Sequence, residues 1–176
     1  KAALKVLDAR RIAVPKFDPA LLDRGHAVHF RCSAPGVEEL RVDVMTRLRD
    51  LPGFSILWNR RTTFQDTDGT EFNLLSIPDL VQAKKTQRSK DWPIIELLVA
   101  IHHRENGSTP RPDWIAFWLI EARTPELLQT LVRQFPAETN NLLRDRPLLL
   151  PAVAGDQEPL RAALDAEVRA EQAKHR

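Results

Sequence analysis

Prolines set the limits of what this chain can fold into. Thirteen occur in 176 residues. Each fixes its own φ, lacks a backbone N–H donor and pushes the residue before it out of the helical region. Pro35-Gly36 and Pro52-Gly53 therefore read as breaks, and Pro147 and Pro151 bracket three leucines and exclude a continuous helix there. Elsewhere proline marks a beginning. Ser76-Ile77-Pro78-Asp79 joins a hydroxyl cap, an early proline and an acidic first turn, which predicts a helix from Ile77 through Lys84 towards Arg88. Asp91 with Pro93 predicts a second helix that buries Ile94, Ile95, Leu98 and Ile101. Asp113 starts a third, and Thr124-Pro125-Glu126 caps a fourth that runs towards Phe135.

Strands are signalled by alternation. In Ala27 to Cys32, residues Val28, Phe30 and Cys32 share one face and Ala27, His29 and Arg31 the other. In Leu40 to Met45, residues Leu40, Val42 and Val44 point inward. The Pro35-Gly36 turn between the two runs predicts an antiparallel pair. Thr46–Leu51 reads as a short helix and Phe54–Trp58 as a further strand. Gln65–Thr70 reads as a hairpin tip before a strand from Glu71 to Leu75. Residues 2–9 read as the end of a helix, and Pro15, Asp18 and Pro19 mark a turn region. Glu158 to His175 carries Leu160, Leu164 and Val168 on one narrow stripe among balanced charges, as in a solvated surface helix. The expectation is an α+β chain. The strands and the first helices fall in residues 1–105, Asn106–Pro110 separates the halves, and residues 106–176 are expected to form a helical region.

Composition removes several classes. With 43% apolar and 28% charged residues, the chain has a globular composition. A balance of 26 basic and 24 acidic residues, net +2, denies a general polyanion-binding surface. No apolar run approaches the length of a membrane span, and charges interrupt the N-terminal apolar stretch, unlike a signal peptide. The single cysteine, Cys32, allows no internal disulfide and fits a reducing cytoplasm. The chain starts at Lys1, and its one methionine, Met45, lies well inside. The natural protein is therefore expected to carry residues before Lys1.

Two groups of residues could carry chemistry. Asp43 projects from the face opposite Val42 and Val44, alongside Arg41, Met45 and, across the strand pair, His29 and Arg31. It is either a solvent-facing strand residue or a metal ligand, because Mg²⁺ prefers carboxylate oxygens held on a rigid element. Lys84, Lys85, Arg88 and Lys90 form a run of cations with no acid between them. Lys84 and Arg88, four apart, would share a helical face and could clamp a polyphosphate or an RNA backbone; the bland reading is a solvated helix end. His26, His29 and Cys32 alternate faces on a strand and cannot meet on one metal. His102 and His103 point about 100° apart on a helix. Trp114, Phe117 and Trp118 make an aromatic stripe suited to a core or a subunit contact. No glycine-rich phosphate loop or serine nucleophile motif is present.

In sequence order, "RVDVM" at residues 41–45 followed by "LSIPDLVQAKKTQRSKDW" at residues 75–92 resembles the nucleotidyltransferase superfamily, in particular bacterial nucleotidyltransferases of abortive-infection and toxin–antitoxin systems. The resemblance covers roughly residues 1–105. It implies a partial nucleotidyltransferase-like mixed sheet flanked by helices, and transfer of a nucleoside monophosphate from a nucleoside triphosphate to an acceptor hydroxyl, with Mg²⁺ held by three carboxylates. Asp43 matches the third of these, as catalytic residue and metal ligand. Lys84 matches a triphosphate-binding lysine and Arg88 a second contact of that kind. Asp91 matches in sequence too, but reads as a helix cap. The family's paired Asp-x-Asp follows a Gly-Ser turn and precedes a helix like residues 2–9. The Asp-x-Asp found here, Asp66-Thr67-Asp68, comes after Asp43, so the chain as it stands is expected to be inactive. An RNA end, a protein hydroxyl or a small molecule would be the acceptor, with a cognate toxin or antitoxin, or a second copy of the chain, as partner and no role for a membrane. The rival expectations are a degenerate, non-catalytic domain that binds nucleotide or a protein partner, and an oligomerisation module that uses Trp114 and Trp118.

Overall fold

A computed structural model describes residues 2–12, 20, 22 and 25–174. The turn region expected around Pro15, Asp18 and Pro19 and the last residue of the C-terminal stretch, His175, lie outside the described residues. The chain is mixed α and β, and divides into two compact units, Lys1–Leu75 and Ser76–Arg176. The helices after Ser76, expected to complete the first region as far as residue 105, thus sit in the second unit.

The first unit begins with helix α1 (Ala2–Val6) and holds a three-stranded antiparallel sheet in the order β1 (Arg10–Arg11), β2 (Val28–Arg31), β3 (Arg41–Val44). The register sets Val28 against Val44, His29 against Asp43 and Phe30 against Val42, so side chains of one face stay together along the ladder. Val28 and Cys32 are buried as the alternation predicts. Leu40 and Val44, expected to point inward, are 49% and 38% exposed, because this small sheet is covered only in part.

Phe54–Trp58, expected as a strand, is helical: α2 spans Phe54–Asn59. Gly53 O accepts from the N–H groups of both Ile56 and Leu57, and Phe54, Leu57 and Trp58 follow at i, i+3 and i+4. Phe54, Ile56 and Trp58 satisfy a period of two while Phe54, Leu57 and Trp58 satisfy the helical one, so the pattern alone does not decide between them. Thr46–Leu51 forms no helix; bends and turns occupy it, and Asp50 has φ +56°. The hairpin of β4 (Thr62–Gln65) and β5 (Glu71–Leu74) matches expectation. At its tip Asp66 accepts from Thr67 N–H and Asp68 from Thr70 N–H, and Gly69 takes φ +85°, a conformation that costs glycine little.

The second unit is helical: α3 (Ile77–Lys84), a 3₁₀ turn (Ser89–Asp91), α4 (Trp92–Asn106), α5 (Pro112–Glu121), α6 (Pro125–Gln134), α7 (Pro136–Leu142), α8 (Leu149–Ala154) and α9 (Gln157–Lys174). Proline stands in the first two positions of α3 to α7, where its missing donor costs nothing. Pro151 also falls in a first turn, that of α8, so the leucine run enters a helix after all. The core gathers Val81, Ile95, Val99, Trp118, Leu128 and Leu160 around α4 and α5. The buried stripe of α4 is Trp92, Ile95, Val99 and His102, whereas Ile94 faces out. Helix α9, expected as a solvated surface helix, buries Leu160 and Leu164.

The core of this unit includes a histidine. Trp118 Nε1 donates to His102 Nδ1 at 2.9 Å, and Trp114 and Phe117 meet the imidazole edge-on. Burial lowers the His102 pKa below its ordinary value of 6.5. Arg111 and His103 reinforce this, while Glu105 and Asp113 oppose it. The unfolded chain therefore binds this proton more readily than the folded one. The stability contributed by neutral His102 is complete above pH 6.5 and declines as pH falls through that value towards the lower folded pKa. We expect the urea midpoint to drop between pH 7.5 and 5.5, and the slope of that drop to flatten in His102→Gln. An identical slope in the variant would overturn the assignment.

Candidate functional site: an outward carboxylate and a basic turn

On the outer face of the β2–β3 ladder, cross-strand pairing sets His29 opposite Asp43, and two-residue spacing sets Arg41 beside it. Asp43 Oδ1 lies 2.7 Å from His29 Nδ1 and accepts from Arg41 Nε at 2.9 Å. The hydrogen bond from Arg41, and then that from His29, holds the Asp43 carboxyl below the usual carboxylate range. The shared face read from the sequence is thus present for Arg41, His29 and Arg31, which the register sets against Arg41 and which pairs with Glu39. This donor set suits a charge pair better than a magnesium ion. The oxygen that would ligate a metal is engaged by an imidazole and by a guanidinium, and the guanidinium's fixed positive charge repels a divalent cation. Among the described residues, no three His, Cys, Asp or Glu side chains converge to hold a metal.

In the second unit Ser76 caps α3, accepting from Asp79 N–H. The helix stops at Lys84, and Lys85 turns extended with ψ +92°. Arg88 therefore does not lie on a helical face with Lys84, as their spacing predicts. The chain leaves the helix because Lys85 is drawn inward: its Nζ donates to Glu121 Oε1 at 2.5 Å, with both side chains about nine-tenths buried. Lys85 is a structural residue, the member of the basic run that faces the core.

The residues after it build a tight turn. Thr86 Oγ1 donates to Asp91 Oδ2 at 3.0 Å and accepts from Arg88 N–H at 3.2 Å. Trp92 Nε1 donates to Thr86 O at 3.2 Å, and Asp91 N–H to Arg88 O at 3.1 Å. Asp91 was expected to cap α4 with its side chain. It makes no such bond and instead lies 9% exposed, bound to Thr86, with Lys84 Nζ 3.8 Å away. Arg88 and Lys90 remain exposed and Lys84 half-buried. The turn thus points its acid inward and Arg88 and Lys90 outward, with Lys84 beside the acid. Sequence reading missed Thr86 and Trp92 as its framework, since an irregular turn has no period to betray such partners. Asp43 belongs to the first unit, Lys84 and Arg88 to the second.

Comparison with protein-family models, with curated proteins and with solved structures finds no match to this chain.

Proposed function

We propose that this chain binds the phosphates of a nucleoside triphosphate at the turn of residues 84–91, through Lys84 and Arg88, and does so without transferring the nucleotide. The reading rests on the resemblance to nucleotidyltransferases at residues 41–45 and 75–92. The observation that carries it is the turn itself: a hydrogen-bonded frame that buries Asp91 beside Lys84 and leaves Arg88 and Lys90 exposed on the same short loop. A phosphate meeting such a loop gains charge-assisted hydrogen bonds at small ordering cost, because the backbone is already fixed.

Calorimetric titration with ATP, GTP, CTP and UTP tests this. At least one triphosphate is expected to bind with one-to-one stoichiometry, and Lys84→Ala combined with Arg88→Ala to weaken it about tenfold or more, the value of one or two phosphate contacts. Weaker binding at higher salt should accompany it. Absence of saturable binding by all four triphosphates would overturn the proposal.

The pairing of Asp43 with Arg41 and His29 favours binding over transfer. Magnesium-dependent incorporation of label from an α-³²P nucleoside triphosphate into an RNA end, a protein hydroxyl or a small acceptor, abolished by Asp43→Ala, would overturn the non-catalytic half and restore a transferase.

A further inference from the structure

The first unit holds a cleft of about 260 Å³ that the nucleotide proposal does not use. Its wall is apolar, made by Met45, Leu48, Phe54, Leu57, Trp58 and Leu74. Helix α2 supplies the aromatic part, with Phe54 and Trp58 stacked at 5.6 Å between ring centroids. Both rings are open at the lip, 68% and 43% exposed. The polar groups are few and of one sign. Arg47 and Arg61 line the cleft, and none of its described lining residues is acidic.

Arg61 is held in place before any ligand arrives. Its guanidinium lies 4.2 Å from the Trp58 ring centroid. Nε donates to Asn73 Oδ1 at 2.5 Å and Nη1 to Trp58 O at 2.9 Å. Thr63 Oγ1 fixes Asn73 in turn, donating to the same oxygen. Two of the three guanidinium nitrogens are thus anchored, and Nη2 makes no hydrogen bond among the described residues. A cation positioned over one aromatic ring, within apolar walls, is complementary to a ligand of opposite design.

We propose that this cleft is a binding site for a small amphipathic anion, with a flat apolar ring system that packs against the exposed surface of Phe54 and Trp58 and a carboxylate or phosphate that meets Arg61. Size favours a ligand of one or two fused rings. Burying the exposed aromatic surfaces supplies affinity, and the arginine supplies preference for the anion over its neutral analogue.

The test compares 2-naphthoate with 2-naphthalenemethanol on the whole chain by calorimetry. One-to-one, saturable binding of the naphthoate is expected, with the alcohol about tenfold weaker. Arg61→Gln should weaken the naphthoate about tenfold and change the alcohol less than about twofold, while Trp58→Ala weakens both. Circular dichroism of each variant checks that it is folded, and Arg47→Gln, away from the Trp58 stack, provides a second charge deletion expected to weaken the naphthoate alone. No saturable binding, or equal losses for acid and alcohol in both arginine variants, would overturn the proposal. Failure of triphosphate binding at residues 84–91 would leave it untouched.

Discussion

Arg146→Ala is expected to cost the second unit about 3–5 kcal/mol, the range for breaking a buried charge network from one side. Arg146 is 5% exposed, and all its donor nitrogens have partners. Nη1 donates to Leu119 O at 2.6 Å and Nη2 to Ala122 O at 2.8 Å. Nε and Nη2 hold the Glu167 carboxylate at 3.0 and 2.7 Å. Leu119 and Ala122 lie in the last turn of α5 and at its C-terminal cap, where carbonyls have no partner within the helix and carry its negative dipole end. One side chain thus closes α5 and ties it to α9. Burial draws the Arg146 pKa below the usual guanidinium value, and the bond to Glu167 opposes that shift. Deleting it strips the donor from Leu119 O, leaves Ala122 O with only the long 3.4 Å bond from Arg123 Nη1 and leaves Glu167 with Arg123 as its remaining partner, at 3.2 Å. Arg146→Lys should recover part of the loss, since one ammonium cannot span both carbonyls and the carboxylate. Urea unfolding followed by tryptophan fluorescence reads the effect, because Trp92, Trp114 and Trp118 all belong to this unit. A loss below about 1 kcal/mol, the scale of an exposed pair, would refute the role given to Arg146.

That network shows why part of the molecule was legible in the sequence and part was not. Proline positions and strand alternation act over a few residues, so the starts of α3 to α6, the β2–β3 pair and the outward face of Asp43 could be read directly. Lys85 and Glu121 stand 36 residues apart, and Arg146 and Glu167 stand 21 apart. Nothing local distinguishes such residues from solvated charges, and Glu167 read as one more charge on a surface helix. The end of α3 was lost for the same reason: a long-range pull on Lys85 interrupts a pattern whose charges suit a helix through Arg88. Phe54–Trp58 failed differently, because apolar residues at 54, 56, 57 and 58 fit a strand and a helix alike. Within the candidate site, the position of Asp43 could be foreseen, but its engagement by Arg41 and His29 required the ladder register, and that engagement is what turns the reading from transfer towards binding.

Trp118→Ala is expected to be as damaging, at about 3–5 kcal/mol, the usual cost of emptying a buried aromatic site. The indole is fully buried, lies 6.1 Å from the Phe135 ring and takes His103 edge-on at 4.9 Å. Its removal opens a cavity and strips the donor from His102 Nδ1. Trp118→Phe separates the two losses: it retains most of the ring volume and deletes only the donor, so its cost should fall to about 1–3 kcal/mol, that of an unsatisfied buried acceptor. Trp118 also sits one position before Leu119, whose carbonyl Arg146 holds. A cavity at the end of α5 loosens the carbonyls that make Arg146 valuable, so the two substitutions share one element and should couple. Chemical denaturation of the double variant Trp118→Ala/Arg146→Ala should show a loss smaller than the sum of the single losses by about 0.5–3 kcal/mol, the range for residues acting on one element. Strict additivity would mean that α5 is not the common element, and that Arg146 and Trp118 stabilise the unit through separate contacts.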